Sequence, residues 1–336
     1  MPALRENQPT GADASFCTWN GAEATLFAIV HRRIRHAMSH SISHLIDGRL
    51  HDLGDGFFVR RMLPHLAARH IGPFVFFDHM GPVTMAPGTG MDVRPHPHIN
   101  LSTLTYLFEG AIDHRDSLGT YATIRPGACN LMTAGRGIVH SERTPLAERS
   151  TGSAISGMQT WLALPDGKEE IDPAFEHVAA GDLPLVEDGH VSARVIMGSL
   201  WGVTAPTTQH SATIYADILM SAGASLPIDA EADERAVIVA LGDASLDGEA
   251  LDRYSLYILK PGQAMTLRAE TDARVMLLGG EAFTTPRHVW WNFVSSSRDR
   301  INEAKAEWKE RKFPLVPGDS EEFIPIPEVP KTVSYP

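Results

Sequence analysis

The chain has 336 residues, 43% hydrophobic and 21% charged, an ordinary globular composition with enough length for two cores. A net charge of −12 repels nucleic-acid phosphates at long range, so direct nucleic-acid binding is not expected. No run approaches the ~20 apolar residues that cross a bilayer, the N-terminus lacks the order of a secretory signal, and Cys17 and Cys129 give no disulfide framework, so no membrane insertion and a reducing cytoplasm are expected.

Residues 1–40 show no clear hydrophobic period and are expected to form a disordered, dispensable extension. From His44 onward short runs alternate with turn residues. Phe57–Pro64 and Phe74–Met80 are rich in aromatic and branched side chains, as buried strands are. Turns at Gly110, Gly119, Pro126-Gly127 and Gly135 then separate runs of about five to nine residues, the rhythm of an all-β barrel or sandwich.

The stretch Gly90–Glu142 carries the chemistry. Side chains at i and i+2 of a strand leave from one face, so His96 pairs with His98 and His140 with Glu142. If the two strands face each other inside a small barrel, three imidazoles and a carboxylate converge, a donor set for iron, nickel, copper, manganese or zinc that leaves positions open for chemistry. The plainer reading is that these are core histidines satisfied by backbone groups, and with 16 His some clustering arises by chance. Two such pairs, each bounded by glycines, favour the metal. His114, between Asp113 and Asp116, and His79 are further pocket candidates, each read as holding its turn or strand at least as readily as meeting a substrate.

Gly90, His96-Pro97-His98, Thr103 and Gly110 fit the spacing of the first cupin motif, except that Thr103 stands where cupins place a Glu ligand. That departure, with Phe77-Asp78-His79-Met80-Gly81-Pro82, Thr103-Leu104-Thr105-Tyr106-Leu107-Phe108-Glu109-Gly110 and Met132-Thr133-Ala134-Gly135-Arg136-Gly137-Ile138-Val139-His140-Ser141-Glu142, closely resembles the pirins. The resemblance implies two cupin (jelly-roll) β-barrels in tandem and one mononuclear divalent metal held by His96, His98, His140 and Glu142. Iron is the first expectation; nickel, copper, manganese, zinc and cobalt are the others. Thr103 joins the candidate pocket. The resemblance also implies dioxygenase activity on flavonols such as quercetin, or on a related enol or phenolic substrate, with Glu142 as general base. The rival it implies is a metal- or redox-sensing regulator that binds a protein partner without turnover.

The first cupin domain is expected over 41–170, a connection around Pro165–Pro184, and a second cupin domain over 185–285. In the second copy Asp229 and Glu231 stand where the histidines would be and Arg235 where the remaining ligand would be. A guanidinium has no lone pair to give and repels a cation, so this barrel is expected to hold no metal and Arg235 to pair with the acids. Over 286–336 the sequence predicts a strand Val289–Val294, an N-cap among Ser295–Ser297, an amphipathic helix from Arg298 to Lys312 with Ile301, Ala304 and Trp308 inward, and a Pro-rich tail extended over the body.

Overall fold

A computed structural model describes residues 40–53 and 57–329, so the expected extension lies, but for its last residue, outside the described residues. The first half of the chain runs through β1 (Ile42–Asp47), β2 (Arg49–Asp52), β3 (Phe58–Leu63), β4 (Phe74–Met85), β5 (Asp92–His98), β6 (Leu101–Glu109), β7 (Ile112–Asp116), β8 (Tyr121–Ile124), β9 (Cys129–Thr133), β10 (Ile138–Arg143), β11 (Ser153–Ala163) and β12 (Ala174–Val178). A seven-stranded sheet in the order β12-β9-β6-β11-β4-β3-β2 faces a four-stranded sheet in the order β5-β10-β7-β8, and together they make the first barrel. The second barrel repeats the plan with another seven-stranded and another four-stranded sheet. The molecule is the expected pair of jelly-roll barrels.

The two large sheets pack back to back. On β4, Phe74 and Phe77 turn toward the second barrel while Phe76 and Met80 turn into the first, which is why Phe74–Met80 reads as one apolar run without alternation. Leu104 and Tyr106 of β6 and Met158 of β11 join Ile196, Tyr215, Ile238 and Met276 of the second barrel in one shared cluster. These central strands are buried on both faces; their inner side lines the cavity described below, whose histidines stand on the smaller sheet.

Four local expectations are revised. The strand β1, assigned by sequence to the first barrel, pairs instead with Ser255–Leu259 at the edge of the second large sheet, where Ile42 enters the second core. The polar connection around Pro165–Pro184 contains β12, which closes the edge of the first sheet against β9. Val289–Val294 is not one strand but a hairpin of His288–Trp290 and Phe293–Ser295, with Trp291 in the left-handed region at φ 53°. Arg235 is 1% exposed and donates to the backbone carbonyls of Asp229, Lys260 (2.9 Å) and Gln263 (2.8 Å) rather than to the acidic side chains. It shares its strand face with Val237 and Val239 of the second core, so its charge is met by carbonyl dipoles inside an apolar barrel.

The C-terminal helix spans Arg298–Lys309, capped by the Ser297 hydroxyl, which accepts from the Arg300 N–H at 3.3 Å. Ile301, Ala304 and Trp308 are its buried face. They pack with Ile99 and Val139 of the first barrel, so the chain returns to the first barrel after completing the second. No helix among the described residues is long and apolar enough to cross a membrane.

Candidate metal centre

His96 lies directly opposite His140 across the β5–β10 ladder, and strand alternation turns His98 to the same side. The tight turn before β10 needs Gly135, at φ 50°, because a Cβ there would collide with the Ile171 carbonyl. The ring centroids of His96, His98 and His140 are 4.3–5.0 Å apart, and one nitrogen from each ring lies within 4.8 Å of the others. All three rings are buried.

The hydrogen bonds at the back of these rings set their tautomers. His96 Nδ1 donates to the Arg94 carbonyl at 2.9 Å, and His98 Nδ1 donates to the Asn292 carbonyl at 3.0 Å. Each Nε2 is thereby left as a lone pair facing the centre, the arrangement in which an outer carbonyl orients a metal-binding imidazole. Among the described residues His140 has no hydrogen-bond partner at either nitrogen. A buried imidazole with both nitrogens unsatisfied is costly unless something binds there, so His140 fits an ion that completes it. Burial pushes His96 down to about 4 and His98 and His140 well below their ordinary value, keeping all three neutral and able to donate. These residues can hold one mononuclear metal.

Glu142 is buried on the same strand but outside the group formed by the three rings. Between His140 and Glu142 the ladder slips: Glu142 pairs with Val93, so β5 carries an extra residue there. Its Oε1 accepts from Gln159 Nε2 at 3.3 Å and lies 3.3 Å from the Thr105 hydroxyl. That hydroxyl has one proton and a closer acceptor in Gln159 Oε1 at 2.7 Å, so the bonds run from Thr105 to Gln159 to Glu142 and Oε2 stays outside them. Burial pushes the Glu142 carboxyl up.

Beside the histidines opens a cavity of about 450 Å³. Its floor is the inner face of the large sheet. There Trp161 packs edge-on against His98 (5.0 Å, 72°) and stacks on Phe76 (4.0 Å, 11°). Arg61 lies 4.4 Å above the Phe76 ring and is held by Asp78 through two bonds of 2.8 and 2.7 Å. Met80, Met91, Val59 and Ile112 supply an apolar part of its lining.

The remaining sequence candidates separate. Thr103 shares the Thr105 face of β6, beside Trp161 and Met132, but does not border the cavity. His114 stacks on Phe175, and its Nε2 bonds Asp116 at 3.0 Å while Asp116 also holds the Leu118 and Thr120 N–H groups; its ring lies 5.3 Å from His140. His79 is not brought to the site: it is on the other face of β4, stacked on Tyr254 of the second barrel at 5.2 Å.

Sequence profiles of two domains match this chain, Pirin over residues 56–162 and the Pirin C-terminal cupin domain over 215–314. A pirin-like protein of Caulobacter vibrioides is 47% identical over 290 residues, covering 85% of this chain and all of that one. The chain belongs to the pirin family. Among solved pirin-fold structures, a quercetin 2,3-dioxygenase from Acinetobacter baumannii superposes with a TM-score of 0.80 at 35% identity, covering 86% of this chain and 96% of that one. A bacterial pirin from Escherichia coli, solved in complex with nickel(II), shares the fold with a TM-score of 0.57 at 18% identity, over 71% of this chain and 99% of that one.

Several residues of this pirin site were not singled out in the sequence. Gln159 and Asp78 carried a signal, since each is a polar side chain inside a strand that otherwise reads as core. The Asn292 carbonyl carried none, because any residue supplies a carbonyl.

Proposed function

We propose that this pirin is a metal-dependent dioxygenase that takes a flavonol such as quercetin, or a related enol or phenolic compound, together with dioxygen. The observation that carries the reading is the cavity of about 450 Å³ beside the three-histidine centre, aromatic on its floor and apolar over part of its lining. That volume is of the size that takes a planar ligand of drug-like mass, about 300–1,000 Å³. The likeness to the Acinetobacter quercetin 2,3-dioxygenase supports the choice of substrate.

His96, His98 and His140 would hold the ion, iron first among the first-row candidates, with Glu142 as a fourth donor or as a base. A redox-active ion bound there supplies Lewis acidity toward two chelating oxygens and a route for electrons between substrate and dioxygen. The protein does the rest. Trp161 and Phe76 line the floor with aromatic rings against which a planar ring system packs, and the apolar wall excludes water. Glu142 Oε2 takes the proton of the substrate hydroxyl, and the Glu142 carboxyl, pushed up by burial, holds it. Gln159 keeps the carboxylate oriented through Oε1.

The test is aerobic turnover of a flavonol panel by protein loaded separately with iron, nickel, copper, manganese, zinc and cobalt. Flavonol loss matched by oxygen uptake with at least one ion is expected. Full metal occupancy with no oxygen uptake under any ion would refute the enzyme and favour the regulator with a protein partner.

A further inference from the structure

Beyond Pro314, where the match to the C-terminal family profile stops, the chain continues along the first barrel as an extended strap. Its anchors are the two strands that carry the histidines. On β10, His140 and Glu142 point inward, so Ser141 and Arg143 point outward, and both grip Asp319. Ser141 Oγ donates to Asp319 Oδ2 at 2.7 Å, and Arg143 holds both Asp319 oxygens at 2.8 and 2.9 Å and Glu322 at 2.8 Å. On β5, the Ile324 N–H donates to the carbonyl of Pro95, the neighbour of His96, at 2.8 Å. The helix adds a third point, Trp308 Nε1 to the Ile324 carbonyl at 3.0 Å, with Phe323 edge-on to the Trp308 ring.

Having crossed the outer face, the strap turns over the rim and lines the cavity with Ile324, Pro325 and Pro327. The alternation Ile324-Pro325-Ile326-Pro327 favours one stiff extended conformation that loses little entropy on being fixed. A stiff segment pinned to both ligand strands makes a wall of defined position.

We propose that the Asp319-anchored strap is the size-selecting wall of this site, with Ile324, Pro325 and Pro327 setting how far a chelating ligand can extend from the metal. This rests on the reading of the cavity as the substrate site, and goes further in assigning selectivity to a segment outside the family profiles. Unsubstituted flavonols fit between Trp161 and the strap; flavonols bearing a sugar on either outer ring meet it.

The experiment uses full-length cobalt(II)-loaded protein and follows the visible spectrum of the ion as ligands bind. The probes are kojic acid, which chelates with one ring, 3-hydroxyflavone, and the A-ring and B-ring glucosides of quercetin. Asp319→Ala releases the anchor; Ile324→Ala with Pro325→Gly thins the wall and keeps the anchor, guarding against misfolding of the first variant. In both, at least one glucoside is expected to bind tenfold or more tighter than in the wild type while kojic acid changes less than twofold. Glucosides and kojic acid shifting together, or neither shifting in the double variant, would overturn the proposal. Kojic acid needs only the metal, so a wild type that turns over no flavonol would refute the substrate assignment while the size cut-off is still read.

Discussion

His140→Leu separates the metal account from a structural role for the histidines. Among the described residues no protein group partners either buried His140 nitrogen, whereas His96 and His98 each satisfy a backbone carbonyl. An unsatisfied buried polar group costs about 1–3 kcal/mol, and a leucine of similar volume removes both at a packing cost of up to about 1.5 kcal/mol. With both groups removed and the packing cost subtracted, the variant should be more stable than wild-type apoprotein by roughly 0.5–6 kcal/mol, a rise in Tm on the order of 1–10 °C. His98→Leu, which strips the Asn292 carbonyl of its donor, should not gain. Metal moves only the wild type: free ion at 100 times Kd adds about 2.7 kcal/mol to it and nothing to a variant that no longer binds. Calorimetry with chelator, then with added nickel, reads both effects. A His140→Leu apoprotein less stable than wild type, or one whose Tm still rises with nickel as wild type does, would refute the reasoning.

Glu142→Gln should keep most of the metal yet lose about 10²-fold or more in flavonol turnover, because the amide cannot take the substrate proton; equal losses of metal and rate, by elemental analysis against kcat, would remove the base role. His79 gives a pH dependence away from the metal. Burial, with Arg60 nearby, pushes it from 6.5 down to about 4, so the unfolded chain binds the proton more readily, and stability present above pH 6.5 is lost as pH falls toward 4. The full loss is ~3 kcal/mol, and His79→Phe should flatten that part of the denaturation profile; an unchanged profile would contradict it. Arg235→Met should lower stability by several kcal/mol by leaving the carbonyls of Asp229, Lys260 and Gln263 without their donor, while metal content stays at one ion per chain. A second ion gained in that variant, seen by titration with manganese, would show that the guanidinium alone had kept the second barrel closed to metal.

The convergence of His96, His98 and His140 was legible because strand periodicity is short-range: side chains at i and i+2 on β5 leave from one face whatever the rest of the fold does, and β10 sets His140 opposite them. The barrels were legible for the same reason, as was the helix capped at Ser297. What stayed hidden depends on partners distant in sequence. Nothing local in Ile42–Asp47 tells which barrel takes its edge hydrogen bonds, and in Val289–Val294 the apolar run conceals the turn at Trp291 that brings the Asn292 carbonyl to His98. His79 shows the limit of motif reading: it is one residue from Asp78, and that one residue turns it from the cavity to the barrel interface. The tail was expected to lie over the body; that Ile324 and Pro325 reach the cavity follows from the grip of Arg143 on Asp319, a pair separated by 176 residues.

The most direct measurement is X-ray absorption at the metal edge of the zinc-loaded protein, compared with His140→Leu. Three imidazole nitrogens at about 2.0–2.1 Å with histidine ring scattering are predicted in wild type, and loss of bound zinc in the variant. A spectrum with fewer than two imidazoles, or one unchanged by His140→Leu, would contradict the centre on which the account rests.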